Sequence, residues 1–234
     1  MPLFSYIVRS DNGFSPNPFH GFCTLACCKP GIRRTAHAGD WIAGLTPKNQ
    51  GYKLVFAMQV DEMLHIGEYW RDKRFLKKHP DFSYPCGTLG DNIYEPLQGG
   101  KTYRQLRSRH SCHDKKFPHG HPKRYTEDED EVSKKRDLSG KRVLISTHFA
   151  YFGTAAAKDL PEELRNAMAV GRGYRNRFSP EILAAWQAFA AKLPNGVQNQ
   201  GADENCLPPT ARYTECGASS CTKTIKGTRG SCKC

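Results

Sequence analysis

The sequence contains no hydrophobic run long enough to cross a membrane, since a membrane-spanning helix needs roughly 20 consecutive apolar residues. Residues 1–12 also lack the apolar core of a secretory signal peptide, and they carry Arg9 and Asp11. These two absences predict a cytoplasmic protein without membrane contact. In that reducing compartment the 10 cysteines are expected to be thiols or metal ligands rather than a disulfide framework.

Acidic residues are too few to balance the basic ones. The chain has 35 Lys and Arg against 23 Asp and Glu, for a formal charge of +12. Such an excess predicts an anionic partner, for example nucleic acid, a nucleotide or a phosphate-bearing surface. Basic soluble proteins without such a partner show the same excess, so charge alone does not decide. No internal repeat is visible, and 234 residues predict one domain, or one domain with a tail.

Hydrophobic residues make up only 38% of the chain, but their spacing predicts both strands and helices. Alternation and β-forming residues predict strands at 3–9, 41–44, 52–60 and 142–147, the last running on toward residue 152. Apolar spacing and capping residues predict the helices Ile66–Lys78, Leu160–Val170 and Pro180–Leu193. We therefore expect an α+β domain over residues 1–194, with about three helices and a strongly bent mixed or antiparallel sheet.

A polar tail rich in Gly, Ser and Thr is expected at residues 195–234. It holds five cysteines, and the spacings Cys216-x4-Cys221 and Cys232-x-Cys234 fit no standard zinc knuckle. Metal binding, disulfides formed on oxidation and a loose tail all remain open, and no metal site is predicted elsewhere. The stretch 101–137 combines many basic residues with the acidic run EDEDE, which predicts a long charged loop.

The segment 14–29 is the first candidate site, because a Pro-Asn-Pro turn fixes its path next to a cluster of cysteines. A thiolate at Cys23 or Cys28 could attack an electrophilic carbon, since nearby cations favour the thiolate form. Lys29 and Arg33 could instead clamp a phosphate. The alternative is that the cysteines are small buried hydrophobic side chains.

Three further segments have residues suited to chemistry or binding. Gly90-Asp91-Asn92 offers a carboxylate and an amide to a base edge, a ribose hydroxyl or a metal, unless it only begins a strand. His110 lies in the segment 108–114 and could serve as a general base, although a solvated basic loop is the simpler interpretation. The stretch 171–178 interleaves three arginines with two aromatic residues, which suits phosphate contact and base stacking or a plain helix connection.

These segments, taken in order, resemble the bacterial and phage family named nucleotide modification associated domain, type two. The likeness covers about residues 3–193 and rests on SYIVRSDNGFSPNPFHGFCTLACCKPGIRRTAHAGDWIAG, LVFAMQV, GDNIY, RHS, RVLISTHFAYFG and RGYRNRF. The resemblance implies a protein that acts on, or assists the modification of, a nucleotide or nucleobase, in a DNA-modification or phage-defence context. It marks as site residues Asp11, Asn17, Phe19, Gly21, Cys23, Thr24, Cys28, Lys29, Arg33, Asp91, Asn92, His110 and Ser111.

A weaker resemblance concerns the fold alone. A Gly-Asp turn into a strand, followed by LVFAMQV and a helix, is similar to the small barrels of the PUA, ASCH and EVE type. Those domains often hold a base in a pocket on the barrel. The resemblance implies that the bent sheet of this chain could close into a PUA-like barrel, and it says nothing about activity.

The expected pocket lies where the Asn17–Lys29 turn meets the Gly90–Tyr94 turn. If the protein is an enzyme, His110 is expected to be the general base, with Asp91 and a supporting, non-nucleophilic Cys23 as the other catalytic residues. The predicted ligand-binding residues are Asp11, Asn17, Phe19, Thr24, Cys28, Lys29, Arg33, Asn92 and Ser111. The predicted nucleic-acid contacts are Arg34, Arg172, Tyr174, Arg175 and Arg177.

Two alternatives to catalysis stay open at this point. One is a non-catalytic reader that clasps a modified base with Phe19, Trp41 and the stretch 172–177. The other is an interaction module in a defence complex. The expected partner is a nucleotide or nucleic acid, with DNA favoured over RNA, whereas the cofactor, the reaction and the oligomeric state are undetermined.

Overall fold

The computed structural model describes residues 2–83, 85–110 and 129–198. Within these ranges the chain is a mixture of short helices and strands, which confirms the predicted α+β class. The strands are β1 (Leu3–Ile7), β2 (Cys23–Leu25), β3 (Trp41–Leu45), β4 (Leu54–Gln59), β5 (Glu62–His65), β6 (Tyr94–Leu97), β7 (Thr102–Gln105), β8 (Arg142–Ser146), β9 (His148–Tyr151), β10 (Tyr174–Arg175) and β11 (Gly196–Val197). The α-helices are α1 (Pro30–Thr35), α2 (Ile66–Arg71), α3 (Glu131–Leu138), α4 (Glu162–Met168) and α5 (Pro180–Ala190).

The main sheet has six strands in the order β10-β1-β3-β4-β9-β11. β1 pairs in parallel with β3, while β4 pairs antiparallel with both β3 and β9. A second sheet contains β2, β8 and β5, and β6 and β7 form a two-stranded ribbon. The main sheet is therefore mixed, which is one of the two arrangements that the sequence predicts.

A sharp bend connects the two larger sheets. β4 pairs with β9 in the first sheet, and their chain neighbours β5 and β8 pair in the second. The bend occurs at Asp61 on one segment and at Thr147 on the other. There the Asp61 carboxylate accepts hydrogen bonds from the Thr147 backbone N–H at 2.5 Å and its hydroxyl at 2.7 Å. The predicted strand 142–152 is thus two strands in two sheets, and the sheets of the described chain stay open rather than closing into a barrel.

Apolar side chains of β1 pack on both faces of the main sheet. Phe4 and Tyr6 join the core cluster beneath β2 and β8, whereas Leu3 and Ile7 join the cluster that α4 and α5 cover. Strands buried on both faces are expected for the centre of a mixed sheet. The residues that follow β1, from Val8 onward, therefore leave the sheet from a strand that is packed on both faces.

The helices differ in part from their predicted bounds. The predicted helix Ile66–Lys78 is two elements, because Asp72 ends α2 and caps a 3-10 helix, Lys73–Lys78, by accepting the Arg74 N–H at 2.9 Å. α4 and α5 lie inside their predicted ranges. α1 was not predicted, and α3 replaces part of the predicted charged loop because Asp130 caps its first turn through the Ser133 N–H at 3.0 Å.

Two residues beyond the predicted boundary at 194 belong to the main sheet, since Gly196 and Val197 pair in parallel with β9. Ser111 and the cysteines of the predicted tail lie outside the described residues. Among the described helices, none combines the length and the apolar character needed to span a membrane.

Candidate functional site

The two turns predicted to share a pocket meet in a buried polar network. We call it the Lys78 network; its members are Asn17, Thr24, Tyr69, Lys78 and Asp91. The Thr24 hydroxyl donates to Asp91 Oδ2 at 2.7 Å and accepts from Lys78 Nζ at 3.0 Å. Tyr69 donates to the other Asp91 oxygen at 2.8 Å, and Asn17 donates to the Leu89 carbonyl at 2.9 Å.

Lys78 is the centre of this network and comes from the 3-10 helix after α2. Its ammonium also contacts the Asn17 side-chain oxygen at 2.5 Å and the carbonyls of Asn17 and Phe22 at 3.1 and 3.0 Å. Burial lowers the pKa of Lys78 to about 8, although the Asp91 carboxylate opposes this. Burial raises the pKa of Asp91, and Lys78 opposes that shift. A charge buried at such a cost is stabilised only by many partners.

Several predicted site residues are enclosed by this arrangement. Cys23, Asn92 and Phe19 are at most 3% exposed. Burial raises the pKa of Cys23 to about 12, so this thiol is not a thiolate at neutral pH. Asn92 donates to the Tyr69 carbonyl at 3.1 Å. In this structure these side chains, like Asn17, Thr24 and Asp91, shape the turns from inside and do not face solvent.

Arg33, a predicted phosphate ligand, is likewise enclosed and holds the loop 26–28 against α3. Its guanidinium donates to the carbonyls of Ala26 at 2.6 Å and Cys28 at 2.9 Å, and also to that of Asp137. A Cβ at Gly140 would lie 2.4 Å from Arg33 Nη2, so glycine is required there. In this structure the Arg33 guanidinium therefore holds the loop in place.

Asp137 brings the next loop residue, Cys28, together with His110. The carboxylate of Asp137 is fully buried, accepts the Cys28 N–H at 2.8 Å and the Tyr94 hydroxyl at 2.9 Å, and lies 2.8 Å from His110 Nε2. The ring of Phe14 stacks on that of His110 at 5.2 Å between centroids. Burial alone would raise the pKa of Asp137, but His110, Arg33 and the Cys28 N–H together lower it. The carboxylate is thus held ionised.

The Cys28 thiol, a ring nitrogen of His110 and a carboxylate oxygen of Asp137 lie within 4.8 Å of one another. We call these residues the Cys28 triad. Their donor types would also suit a metal ion. However, the thiol has Arg136, Arg33 and Lys29 nearby, which act against a second positive charge. The set is better suited to acid–base and nucleophilic work, in which a carboxylate orients a histidine beside a thiol.

Cys28 and Lys29 both have left-handed backbone conformations, with φ of 59° and 42°. Residues other than glycine adopt such angles rarely, and they cluster at functional sites. The turn leads into α1 and directs Lys29 toward β1, where its Nζ lies 4.2 Å from the centroid of the Tyr6 ring. Burial lowers the pKa of Lys29.

A cleft of about 460 Å³, the first cleft, lies beside this turn. Three basic residues line it, Arg9, Lys29 and Arg172, and Cys28 is also part of its wall. Its other lining residues are Tyr6, Ile7, Val8, Ser10, Ser15, Gly171 and Gly173. The Tyr6 side chain is 2% exposed, and its buried hydroxyl has no hydrogen-bond partner among the described residues. A buried, unsatisfied hydroxyl is costly, so Tyr6 is an unusual residue to find in the wall of a cleft.

A second cleft of about 520 Å³ adjoins the first and shares Val8 and Arg9 with it. Asp11, a predicted ligand residue, lines this cleft. Its carboxylate accepts from the Tyr151 hydroxyl and from the Thr154 N–H, the latter at 2.9 Å. Burial raises the pKa of Asp11, while these hydrogen bonds oppose the shift.

The predicted nucleic-acid contacts are dispersed. Arg172 lines the first cleft, and Tyr174 in β10 packs on Phe4 at 5.9 Å between ring centroids. Arg175 donates to the Ala167 carbonyl at 2.5 Å, and exposed Arg34 donates to the Ser139 carbonyl at 3.1 Å. Arg177 is exposed. Of these five residues, the structure therefore brings only Arg172 to the cleft.

The structure adds four residues that sequence reasoning missed: Tyr6, Arg9, Lys78 and Asp137. Asp137 lies in a run of charges, and Lys78 in a run of lysines, where single members do not stand out. Arg9 carries the one usable signal, since it lies two residues after the end of β1, and loop residues just after a strand often line sites.

A model of the family described as nucleotide modification associated domain 2 matches residues 1–206. No curated protein and no solved structure matches the chain significantly. The match includes both clefts, the Cys28 triad and the Lys78 network.

Proposed function

Because the chain belongs to the nucleotide modification associated domain 2 family, we propose that it binds a nucleotide in the first cleft and acts on its base. The nucleotide can be free or part of a nucleic acid. The observation that supports this most is the convergence of Arg9, Lys29 and Arg172 on a cleft whose wall includes Cys28. Basic residues that can bind a phosphate and a cysteine that can react thus line the same cleft.

The chemistry of the first cleft suits a phosphate. Guanidinium groups bind phosphate oxygens in pairs, and an ammonium adds a point charge. Two serines, Ser10 and Ser15, line the same cleft, although the Ser15 hydroxyl already donates to the Cys27 carbonyl at 2.9 Å. Its volume of about 460 Å³ lies within the range of roughly 300–1,000 Å³ typical of small-molecule sites.

The alternative of a non-catalytic reader is less well supported. A reader needs an aromatic cage, and its predicted members were Phe19 and Trp41. Phe19 is 3% and Trp41 5% exposed, and Trp41 packs on Trp186 at 5.7 Å between ring centroids. Both rings are therefore packed in the interior and do not form an open aromatic cage in this structure. The DNA-modification or phage-defence context, with DNA favoured over RNA, is kept as part of the proposal on the strength of the family alone.

Binding of the full chain to nucleoside monophosphates and a short single-stranded DNA, measured by calorimetry, tests the proposal. We expect Arg9→Gln, Lys29→Gln and Arg172→Gln each to weaken binding about tenfold or more, since hydrogen bonds to charged groups contribute about 1.5–3 kcal/mol. Lys192→Gln is the matched control and should bind like the wild type, because Lys192 is an exposed residue just after α5.

Salt dependence separates the two forms of the ligand. If DNA is the ligand, the logarithm of the affinity should fall by about 0.7 per phosphate contact for each unit of log salt. A mononucleotide should show a weaker dependence. The absence of binding to every nucleotide and to DNA would refute the proposal and favour an interaction module.

A further inference from the structure

The geometry points to Cys28 as a nucleophile that adds to a pyrimidine base, with His110 as its general base and Asp137 as the residue that positions His110. This inference rests on the proposed function, because the base must first be bound in the first cleft. It goes further by naming the reacting atom, its proton acceptor and the class of base.

Cys28 is the one cysteine among Cys23, Cys27 and Cys28 that a ligand can reach. Cys23 and Cys27 are 0% exposed, whereas Cys28 is partly exposed and lines the first cleft. Its left-handed backbone, with φ of 59°, breaks the extended path of the chain after β2. The strain is compatible with a residue placed for function rather than for packing.

His110 is held in place on two sides. The Phe14 ring stacks on it with an interplanar angle of 12°, and Asp137 lies 2.8 Å from its Nε2. Asp137 is itself fixed by the Cys28 N–H and the Tyr94 hydroxyl. A carboxylate fixed in this way sets the orientation of the imidazole and stabilises it when it takes up a proton.

The thiol needs this base. Burial and the Asp137 carboxylate raise the pKa of Cys28, while Arg136, Arg33 and Lys29 lower it less. The buried Tyr6 hydroxyl and the Cys27 thiol are its remaining titratable neighbours within the described part of the chain. The resting side chain is therefore a thiol, and its proton must move to His110 as the sulfur attacks.

The proposed step balances without a further reagent. The thiol proton passes to a ring nitrogen of His110, and the sulfur forms a bond to the pyrimidine carbon at position 6. The electrons of the ring double bond move toward position 5 and the adjoining double bond at position 4, and His110 returns the proton to position 5. Pyrimidines are the expected class because the double bond between positions 5 and 6 is conjugated to the position 4 carbonyl of uracil, or to the carbon–nitrogen double bond at position 4 of cytosine, which makes position 6 electrophilic.

Reversal of this step in heavy water exchanges the hydrogen at position 5 for deuterium, which proton NMR detects. We expect the wild type to catalyse this exchange in 2′-deoxyuridine or 2′-deoxycytidine 5′-monophosphate. Cys28→Ser and His110→Ala should each reduce the rate at least a hundredfold while they still bind the nucleotide. His37→Ala, an exposed histidine, is the control and should exchange at the wild-type rate.

A second measurement needs no nucleotide. The rate of Cys28 alkylation by iodoacetamide at pH 7, followed by peptide mass spectrometry, should fall at least tenfold in His110→Ala. It should also fall in Asp137→Asn, because His110 is then no longer oriented, even though this change removes a charge that raises the pKa of Cys28. Thermal melts verify that each variant is folded. Nucleotide binding without exchange would overturn the inference and leave the proposed function standing, whereas absent binding would refute the proposed function itself. One equivalent of zinc in the wild type that Cys28→Ser loses would also overturn it, by making the triad a metal site.

Discussion

Replacing Thr24 by Val tests whether the Lys78 network holds the two turns together. Valine keeps almost the same volume but substitutes a methyl group for the hydroxyl. That hydroxyl donates to Asp91 at 2.7 Å and accepts from Lys78 at 3.0 Å. Because Thr24 is 0% exposed, water cannot replace either hydrogen bond in the variant.

The expected loss follows from the two bonds. Hydrogen bonds to charged groups contribute about 1.5–3 kcal/mol each. Asp91 keeps its bond from Tyr69, and Lys78 keeps the oxygens of Asn17 and Phe22, so we take the lower end for both. The free energy of unfolding should fall by about 3 kcal/mol. In a domain of this size that corresponds to a Tm lower by about 6–12 °C.

Urea unfolding followed by tryptophan fluorescence and circular dichroism measures this change. The control is Thr35→Val at the exposed end of α1, where the hydroxyl donates to the Gly31 carbonyl at 2.9 Å. Its effect should stay within about 0.5 kcal/mol. A loss below about 1 kcal/mol in Thr24→Val, or equal losses in both variants, would refute the reasoning about the buried network.

Gly90→Ala should lower the free energy of unfolding by about 2–3 kcal/mol, measured in urea, because its Cβ would lie 2.4 Å from the Lys78 carbonyl oxygen. Gly171→Ala is the control and should leave the free energy of unfolding unchanged, because no atom lies within 4 Å of its Cβ. Lys78, with its pKa lowered to about 8, binds its proton less tightly when folded. The stability of the wild type relative to Lys78→Met should therefore rise between about pH 8 and pH 10.5, and a flat difference would contradict the shift. A chain ending at Gln198 should melt like the full chain, whereas one ending at Pro194 should melt lower because β11 no longer pairs with β9; a large loss in the first truncation would show that residues beyond 198 pack on the domain.

The local sequence pattern was sufficient to predict those strands and helices in which the apolar positions of the pattern are also the buried positions of the structure. Alternation and β-forming residues predicted the strand that contains β1, and side chains on both of its faces are packed in core clusters. The Ser179 cap and the apolar spacing predicted α5, because capping and amphipathic spacing act within a few residues. The order of the motifs along the chain also identified the family, and the match of the family model to residues 1–206 confirms it.

Helix bounds and the charged stretch were predicted less well. The Asp72 side chain stops α2 and starts a new helix within a basic run that looks continuous. α3 has almost no apolar periodicity, so the Asp130 cap is the one local signal in its sequence that separates it from a loop. Its position depends on distant residues, because Asp137 is buried against the Cys28 loop and Tyr94.

The sequence by itself determined which residue types were available for chemistry: the cysteines, His110 and the surplus of cations. Tertiary structure alone decided which of them meet. Pairing of Cys23 with Ser146 in the second sheet places that cysteine inside the core, while the left-handed turn places Cys28 at the first cleft. The contact of Asp137 with the Cys28 backbone spans 109 residues, and no local pattern encodes a contact of that range, because it arises from how the sheets pack.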